Sequence, residues 1–391
     1  ANSGAGEHHN VAVGGYAGQA VTTGIRNSIL GGLAGDALTD ADFNVAIGYQ
    51  ALSTDTLGSR SVAIGYNALV TQNFTSATNS LNVAVGYSSG AAVTTGTNNT
   101  FVGNESGSAN TTGERNTASG SSSLTSNTSG AGNTASGFKA LENNTTASSN
   151  TAFGQDSLRA TTTGGNNTAV GIDALTANIT GDTNSAFGKD SLKTNTTGTN
   201  NVGIGHNALG ANTTGTSNTT LGDQSGALIT TGDQNTIIGR YSGNQGGLDI
   251  RTADNNIVLS DGSSGYSAYS LGSGVWLNAA NSSTWSTVSD GRIKENVTPL
   301  ENSLAKITAL NPVEFDYIIS GDHDVSFIAQ EFKKIFPEQV SEQTENSKEI
   351  KALTNNEPLL TLQPNLLPYL VKAIQELSAK NDALEARLTT L

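Results

Sequence analysis

The chain has 391 residues, 35% of them hydrophobic and 13% charged, with 46 Gly and a formal net charge of −14. Such a composition holds too little apolar surface for a monomeric globule to offset its chain entropy, which leaves disorder or a repetitive, backbone-bonded architecture completed by oligomerisation. The acid is dispersed, basic clusters are missing and no stretch approaches ~18 apolar residues, which argues against nucleic-acid binding and a membrane-spanning helix.

There are no Cys, so disulfides and thiolate metal sites are excluded, and His8, His9, His206 and His323 form no metal spacing. No cofactor is expected. The N-terminus lacks a basic-then-apolar signal pattern. Met is also absent, and the expectation is that residue 1 is not the translation start and that the chain is a processed product or a fragment of a longer one.

From the N-terminus a repeat dominates. Gly recurs at 14, 31, 48, 65, 86, 103, 120, 137, 154, 171, 188, 205, 222 and 239, every 17 residues except for one interval of 21 between Gly65 and Gly86. Four residues before each stands Asn, with Ser61 the exception in 14 registers; Ala or Ser follows at the third position after it, and Leu or Gly at the fourth. Disordered linkers do not hold apolar residues and Asn in strict register. The tetrad V-A-V-G or T-A-F-G alternates like a short strand, with the larger side chain before Gly expected to face inward and Gly turning the corner. Asn at one register can stack coil on coil and satisfy corner backbone groups. Fourteen coils at about 4.8 Å each would give a rod on the order of 65–70 Å long. Each coil offers few apolar side chains, which points to burial of a second face against partner chains. Coils with Ser119 and Ser136 before the corner are expected to be the weakest packed.

Two surface features are candidate receptor contacts. Tyr49, Tyr66 and Tyr87 follow the corner Gly in three successive coils, as an exposed aromatic row or a coil-to-coil stack. The four-residue insertion within Val70–Leu81 carries Phe74 on what reads as a protruding loop. These repeats are similar to the head repeats of trimeric autotransporter adhesins, matching Ser61-Val62-Ala63-Ile64-Gly65 residue for residue, and the N-T-A-x-G version resembles repeats of phage tail fibres. The resemblance spans roughly residues 10–243 and implies trimeric parallel β-rolls, although the period here is longer than the usual adhesin head.

After Gly243 the register is expected to end. Residues 244–288 read as a short β transition with Ile257-Val258-Leu259, Gly274-Val275-Trp276-Leu277 and Trp285. From Ser289 charges rise, Gly nearly disappears and all six Pro are found, so a different domain begins: a small α+β unit over 289–391. Its last helix spaces Leu370, Ile374, Leu377, Asn381, Leu384, Leu388 and Leu391 in alternating fours and threes, a heptad seam with one polar layer.

The opening Ser289-Asp290-Gly291-Arg292-Ile293-Lys294, the block Phe327-Ile328-Ala329-Gln330-Glu331 and the late Ala373-Ile374-Gln375-Glu376-Leu377 together resemble the endosialidase-type intramolecular chaperones at the C-termini of phage tail spikes and fibres. That resemblance implies autoproteolysis by a Ser-Lys dyad, with Ser289 as nucleophile, Lys294 as base and Val288–Ser289 as the bond cut. The chemistry is sound in itself, because a serine hydroxyl needs a base and a lysine serves only when desolvation or like charge, here Arg292, lowers its pKa.

The expected fold is therefore mostly β: a homotrimeric parallel solenoid of about fourteen coils, followed by a small chaperone domain ending in a coiled-coil helix. The expected function is a structural tail-fibre segment on the virion that meets upstream fibre proteins and a host receptor, either glycan or surface protein. Two alternatives compete. A trimeric bacterial adhesin should end in membrane β-strands, whereas this chain ends in a helix. A glycan-cleaving tail spike needs paired carboxylates, and the solenoid acids Asp36, Asp55, Glu105 and Glu142 are scattered.

Overall fold

The structure, a computed structural model, describes residues 8–262, 265–272, 276–278, 297–318, 323–343, 359–362 and 365–390. The chain divides into two compact units, Ala1–Ser286 and Thr287–Leu391.

In the first unit each repeat closes one coil. Thr151 pairs in parallel with Thr134 on one side and Thr168 on the other, and the remaining strands keep the same register. The long interval causes no slip, since Val62 still pairs with Val83 and the extra residues lie between. These strands make up most of a 17-stranded sheet. The ladder runs one coil further than the corner glycines indicate: Thr236 pairs with Ile257, and the Asn256 amide N–H donates to Asn235 Oδ1 at 3.0 Å. The expected loss of register after Gly243 is corrected accordingly. Strands Ala268–Leu271 and Trp276–Asn278 then add in antiparallel fashion and end the parallel stack. Tyr241, Tyr266 and Tyr269 pack edge to face beneath them.

The direction of the strand side chains reverses the expectation. The middle residue of each strand points inward: Ala46, Ala63, Ala135, Ala152, Ala169 and Ala186 are fully buried. The larger residue before the corner points outward, with Phe153 58% and Ile238 48% exposed. Ser119 and Ser136 lie in that outer row, so they cost the core nothing. Core volume comes instead from the fourth residue after the corner, where Leu52, Leu69, Leu124, Leu141, Leu158, Leu175, Leu192 and Leu209 are fully buried. All eight hold φ between 50° and 54°, a left-handed conformation costing roughly 1–2 kcal/mol for a residue with a Cβ. Burying a leucine side chain returns about 1.5–3 kcal/mol, so the strain is tolerated. Where Gly replaces Leu, a neighbour fills the hole. A Cβ on Gly107 would lie 2.5 Å from the Phe101 ring, and Phe101 is the buried residue in the inward row that is elsewhere mostly Ala.

Asparagine supplies the polar half of the interior. The Asn167 side chain accepts the Asn184 backbone N–H at 2.9 Å, and its Nδ2 donates to the Gly181 carbonyl at 2.8 Å. The same pair of bonds recurs along the stack. A second buried row, unnoticed in the sequence, stands seven residues after the corner: Asn144 Nδ2 donates to Asn127 Oδ1 at 2.7 Å, and Asn212 to Asn195 at 2.8 Å. Its signal was the first residue of the Asn-Thr-Thr-Gly turns. The row ends where Thr161 and Ile229 take the position, leaving Asn144 Oδ1, Thr161 Oγ1 and Asn212 Oδ1 buried without partners.

In the second unit, the hairpins Pro312–Asp316/His323–Phe327 and Val340–Gln343/Leu359–Leu362 are antiparallel. Phe332, Phe336 and Ala373 are buried, the last on the terminal helix Leu367–Leu388. Glu376 of that helix accepts the Ser303 and Leu304 amides at 3.2 and 2.9 Å, pinning the start of the short helix Ser303–Thr308. These bonds hold its carboxyl below the usual range. Lys306 lies over the Phe336 and Tyr369 rings at 5.5 and 5.6 Å.

Two substitutions test this architecture. Asn167→Ala orphans the buried Asn184 N–H, worth roughly 1–3 kcal/mol, while the Gly181 carbonyl keeps the Asn178 amide, so chemical denaturation should show a loss of about 1–3 kcal/mol. Gly171 holds φ +138°, and a Cβ there would sit 2.5 Å from the Gly188 carbonyl oxygen; Gly171→Val should lower the melting temperature and the yield of assembled protein.

Candidate functional site

Three surfaces of the described residues carry the candidate functions. The first is the outward face of the long sheet. Val102, Phe153, Phe187, Ile204, Leu221, Ile238 and Leu259 occupy equivalent positions and are 38–58% exposed, giving an apolar stripe that follows the stack. A monomer gains nothing by presenting it to water, and stripes of this extent mark interaction sites.

The second is the tyrosine row. The Tyr49 and Tyr66 rings stack at 5.7 Å with 15° between planes, and Tyr66 and Tyr87 at 5.3 Å with 7°. Each ring covers its neighbour's face, and the row keeps its outer edges and hydroxyls in solvent. Phe74 behaves otherwise. Its ring is only 6% exposed and folds over Gly58, where an added Cβ would meet it at 2.8 Å. The expected protruding aromatic is thus corrected to a core residue, because the insertion turns inward to close an irregular coil.

That coil has its own polar cluster. Asp55 accepts the Gly58 and Phe74 amides at 3.0 and 3.1 Å and the Gln72 side-chain amide at 2.6 Å. Gln72 also donates to Ser61 Oγ at 2.9 Å and accepts from Asn82 Nδ2 at 2.9 Å. It takes the place of the asparagine that Ser61 displaces, which explains how the single exception in the repeat is accommodated. Burial pushes the Asp55 carboxyl above its ordinary value, against the opposing effect of these hydrogen bonds.

The third surface is the terminal helix. Leu370, Ile374, Leu377, Leu384 and Leu388 of the heptad seam are 41–71% exposed within one chain, and Asn381 is exposed with them. Val288, Ser289 and Lys294, the cleavage site and dyad, lie outside the described residues, as does Leu391. Among the described residues no cluster of metal-ligating side chains occurs and no helix is long and apolar enough to cross a membrane.

Comparison with known proteins bears on this second unit. The family described as chaperone of endosialidase matches residues 289–341. Those residues are thus similar to a chaperone-of-endosialidase domain. It is also similar to the long tail fibre protein Gp37 of Enterobacteria phage K3, 37% identical over 105 residues, which are 26% of this chain and 8% of that protein. The corresponding protein of Enterobacteria phage T2 matches at 37% over 105 residues, 7% of its length. The chain thus spans under a tenth of the curated relatives it matches. No solved structure matches. With the parallel solenoid ahead of it, the chaperone domain fits a phage tail fibre with a C-terminal chaperone.

Asp55 yields a pH test. Its folded pKa is raised above the ordinary 3.8, so the fold holds this proton more tightly than the unfolded chain. Its contribution is complete below that value and is lost as pH climbs through the raised one. Asp55→Asn should therefore gain thermal stability relative to the unmodified protein as pH rises from 4 to 7, as followed by melting curves.

Proposed function

We propose that the chain is a segment of a phage tail fibre, assembled as a homotrimer on the virion, whose residues 289–391 chaperone assembly and are then released by self-cleavage. The observation that carries the reading is the chaperone match that begins directly after a repetitive solenoid. The outward apolar stripe of the sheet and the exposed heptad seam of the terminal helix support the trimer, since both are surfaces that a single chain leaves in water. Association of three copies would cover each of these surfaces.

The cleavage step uses the dyad at the boundary. The Ser289 hydroxyl oxygen adds to the Val288 carbonyl carbon while neutral Lys294 takes its proton. The C–N bond of Val288–Ser289 breaks, the proton passes to the departing amine, and water hydrolyses the ester that remains. A lysine with an ordinary pKa near 10.4 is charged and inert at neutral pH, so the step needs desolvation of Lys294. Assembly of three chains is the event we assign to that desolvation, which makes cutting report correct folding. Contact with a host-surface glycan or protein, and joining to upstream tail proteins, are the further roles that a tail-fibre segment would carry.

Unmodified protein should sediment as a trimer and yield a new N-terminus at Ser289 by peptide mapping. Ser289→Ala and Lys294→Ala should each remain full length while still forming trimers, because the assembling surfaces are elsewhere. An intact Val288–Ser289 peptide from unmodified trimer would refute the protease role, and a folded monomer would refute the assembly role.

A further inference from the structure

The strand face of the solenoid is bordered by two rows of side chains, one at each edge. Five residues before the corner stand Arg26, Phe43, Arg60 and Leu81; directly after the corner stand Tyr49, Tyr66 and Tyr87. All seven are exposed. The pairs Phe43 and Tyr49, Arg60 and Tyr66, and Leu81 and Tyr87 flank the strands Val45–Ile47, Val62–Ile64 and Val83–Val85, so the large residues of the two edges share the same coils. Further along, Arg115 apart, the first edge turns to small or polar residues such as Ser149, Asn166, Thr183 and Asn200, and the tyrosines cease.

The first edge is already organised for a partner. The Arg26 and Arg60 guanidinium carbons flank the Phe43 ring at 5.3 and 5.7 Å. Among the described residues neither guanidinium and none of the three tyrosine hydroxyls has a hydrogen-bond partner. The tyrosine rings cover one another's faces, so the row offers mainly a rim of phenolic oxygens and ring edges. Such a rim suits fixed N–H donors better than the flat face of a sugar, which needs an open ring.

We infer that the Arg26–Phe43–Arg60 edge of one copy clasps the Tyr49–Tyr66–Tyr87 edge of the next. This rests on the trimer reading with the strand face turned inward. Closure by three-fold rotation then sets one edge of each copy against the opposite edge of its neighbour at the same height along the rod. Guanidinium N–H groups meet phenolic oxygens and the end faces of the tyrosine stack, contacts that arginine makes well and lysine does not. The clasp fixes the axial register of the three chains at the coils from Phe43 to Tyr87.

The lack of native cysteine permits a clean test. Arg60→Cys combined with Tyr66→Cys places two thiols on either side of one strand, separated by six residues that span at most roughly 20 Å at about 3.3 Å each. A short bismaleimide spans well under that reach, and any bridge made within one chain would leave it running as a single chain. Treated full-length protein should run on a denaturing gel as covalent species up to three chains, whereas either single variant stays uncross-linked. Phe43→Cys with Tyr49→Cys, one coil away, should give the same pattern. If both double variants sediment as trimers yet run as single chains, the clasp is overturned while the trimer stands. If the unmodified protein sediments as a monomer, the trimer reading fails and takes the clasp with it.

Discussion

One carboxamide, repeated at a single register, organises the solenoid. A backbone coil of this shape turns several N–H and C=O groups away from any strand partner, and in a dry interior each such group is expensive. The asparagine four residues before the corner answers two of them: its oxygen takes the N–H of the coil that follows, and its nitrogen reaches a carbonyl 14 residues further on. Because the donor and the acceptor belong to different coils, the same side chain that satisfies the interior also fixes the register. A coil slipped by one residue would strand an amide on every level, and at the four-residue insertion, where Ser61 stands in the row, the Gln72 carboxamide bridges Ser61 and Asn82 while the ladder keeps its register.

Apolar packing is arranged around this frame. The inward strand position is narrow and is filled by Ala in most coils, so bulk must enter from the turn after the corner. There the backbone is left-handed and the choice lies between a strained Leu and a relaxed Gly. The two are exchanged only with compensation, as Phe101 between Gly90 and Gly107 illustrates. Strain and volume are thus balanced coil by coil, and the outer row, relieved of any core duty, is free to vary from Ser119 to Phe153.

Much of this was legible before any coordinates. The period, the corner glycines and the stacked asparagines follow from composition and spacing, since only Gly tolerates a carbonyl 2.5 Å from where its Cβ would be. The phase of the strand was not legible, because a strand of three residues alternates equally well in either direction. Size misled as well: Phe153 is a better core residue than Ala152 by volume, but the coil has no room for it. Phe74 failed for a related reason, since an insertion reads as a loop until Gln72 and Asp55 are seen to draw it inward. The dyad was read from a motif alone, and its geometry belongs to residues 288–294.

The inter-coil bonds run along the rod, so a load applied to its two ends acts on them directly. Coils joined by a continuous chain do not shear past one another under such a load; they detach singly from whichever end yields first. Each detachment breaks a nearly identical set of bonds and releases 17 residues of slack, or 21 at the two long intervals. Stretching should then proceed at an almost level force over many steps, with the antiparallel strands at Ala268–Asn278 acting as a stop at one end. The solenoid would behave as a stepwise shock absorber under sudden pulls.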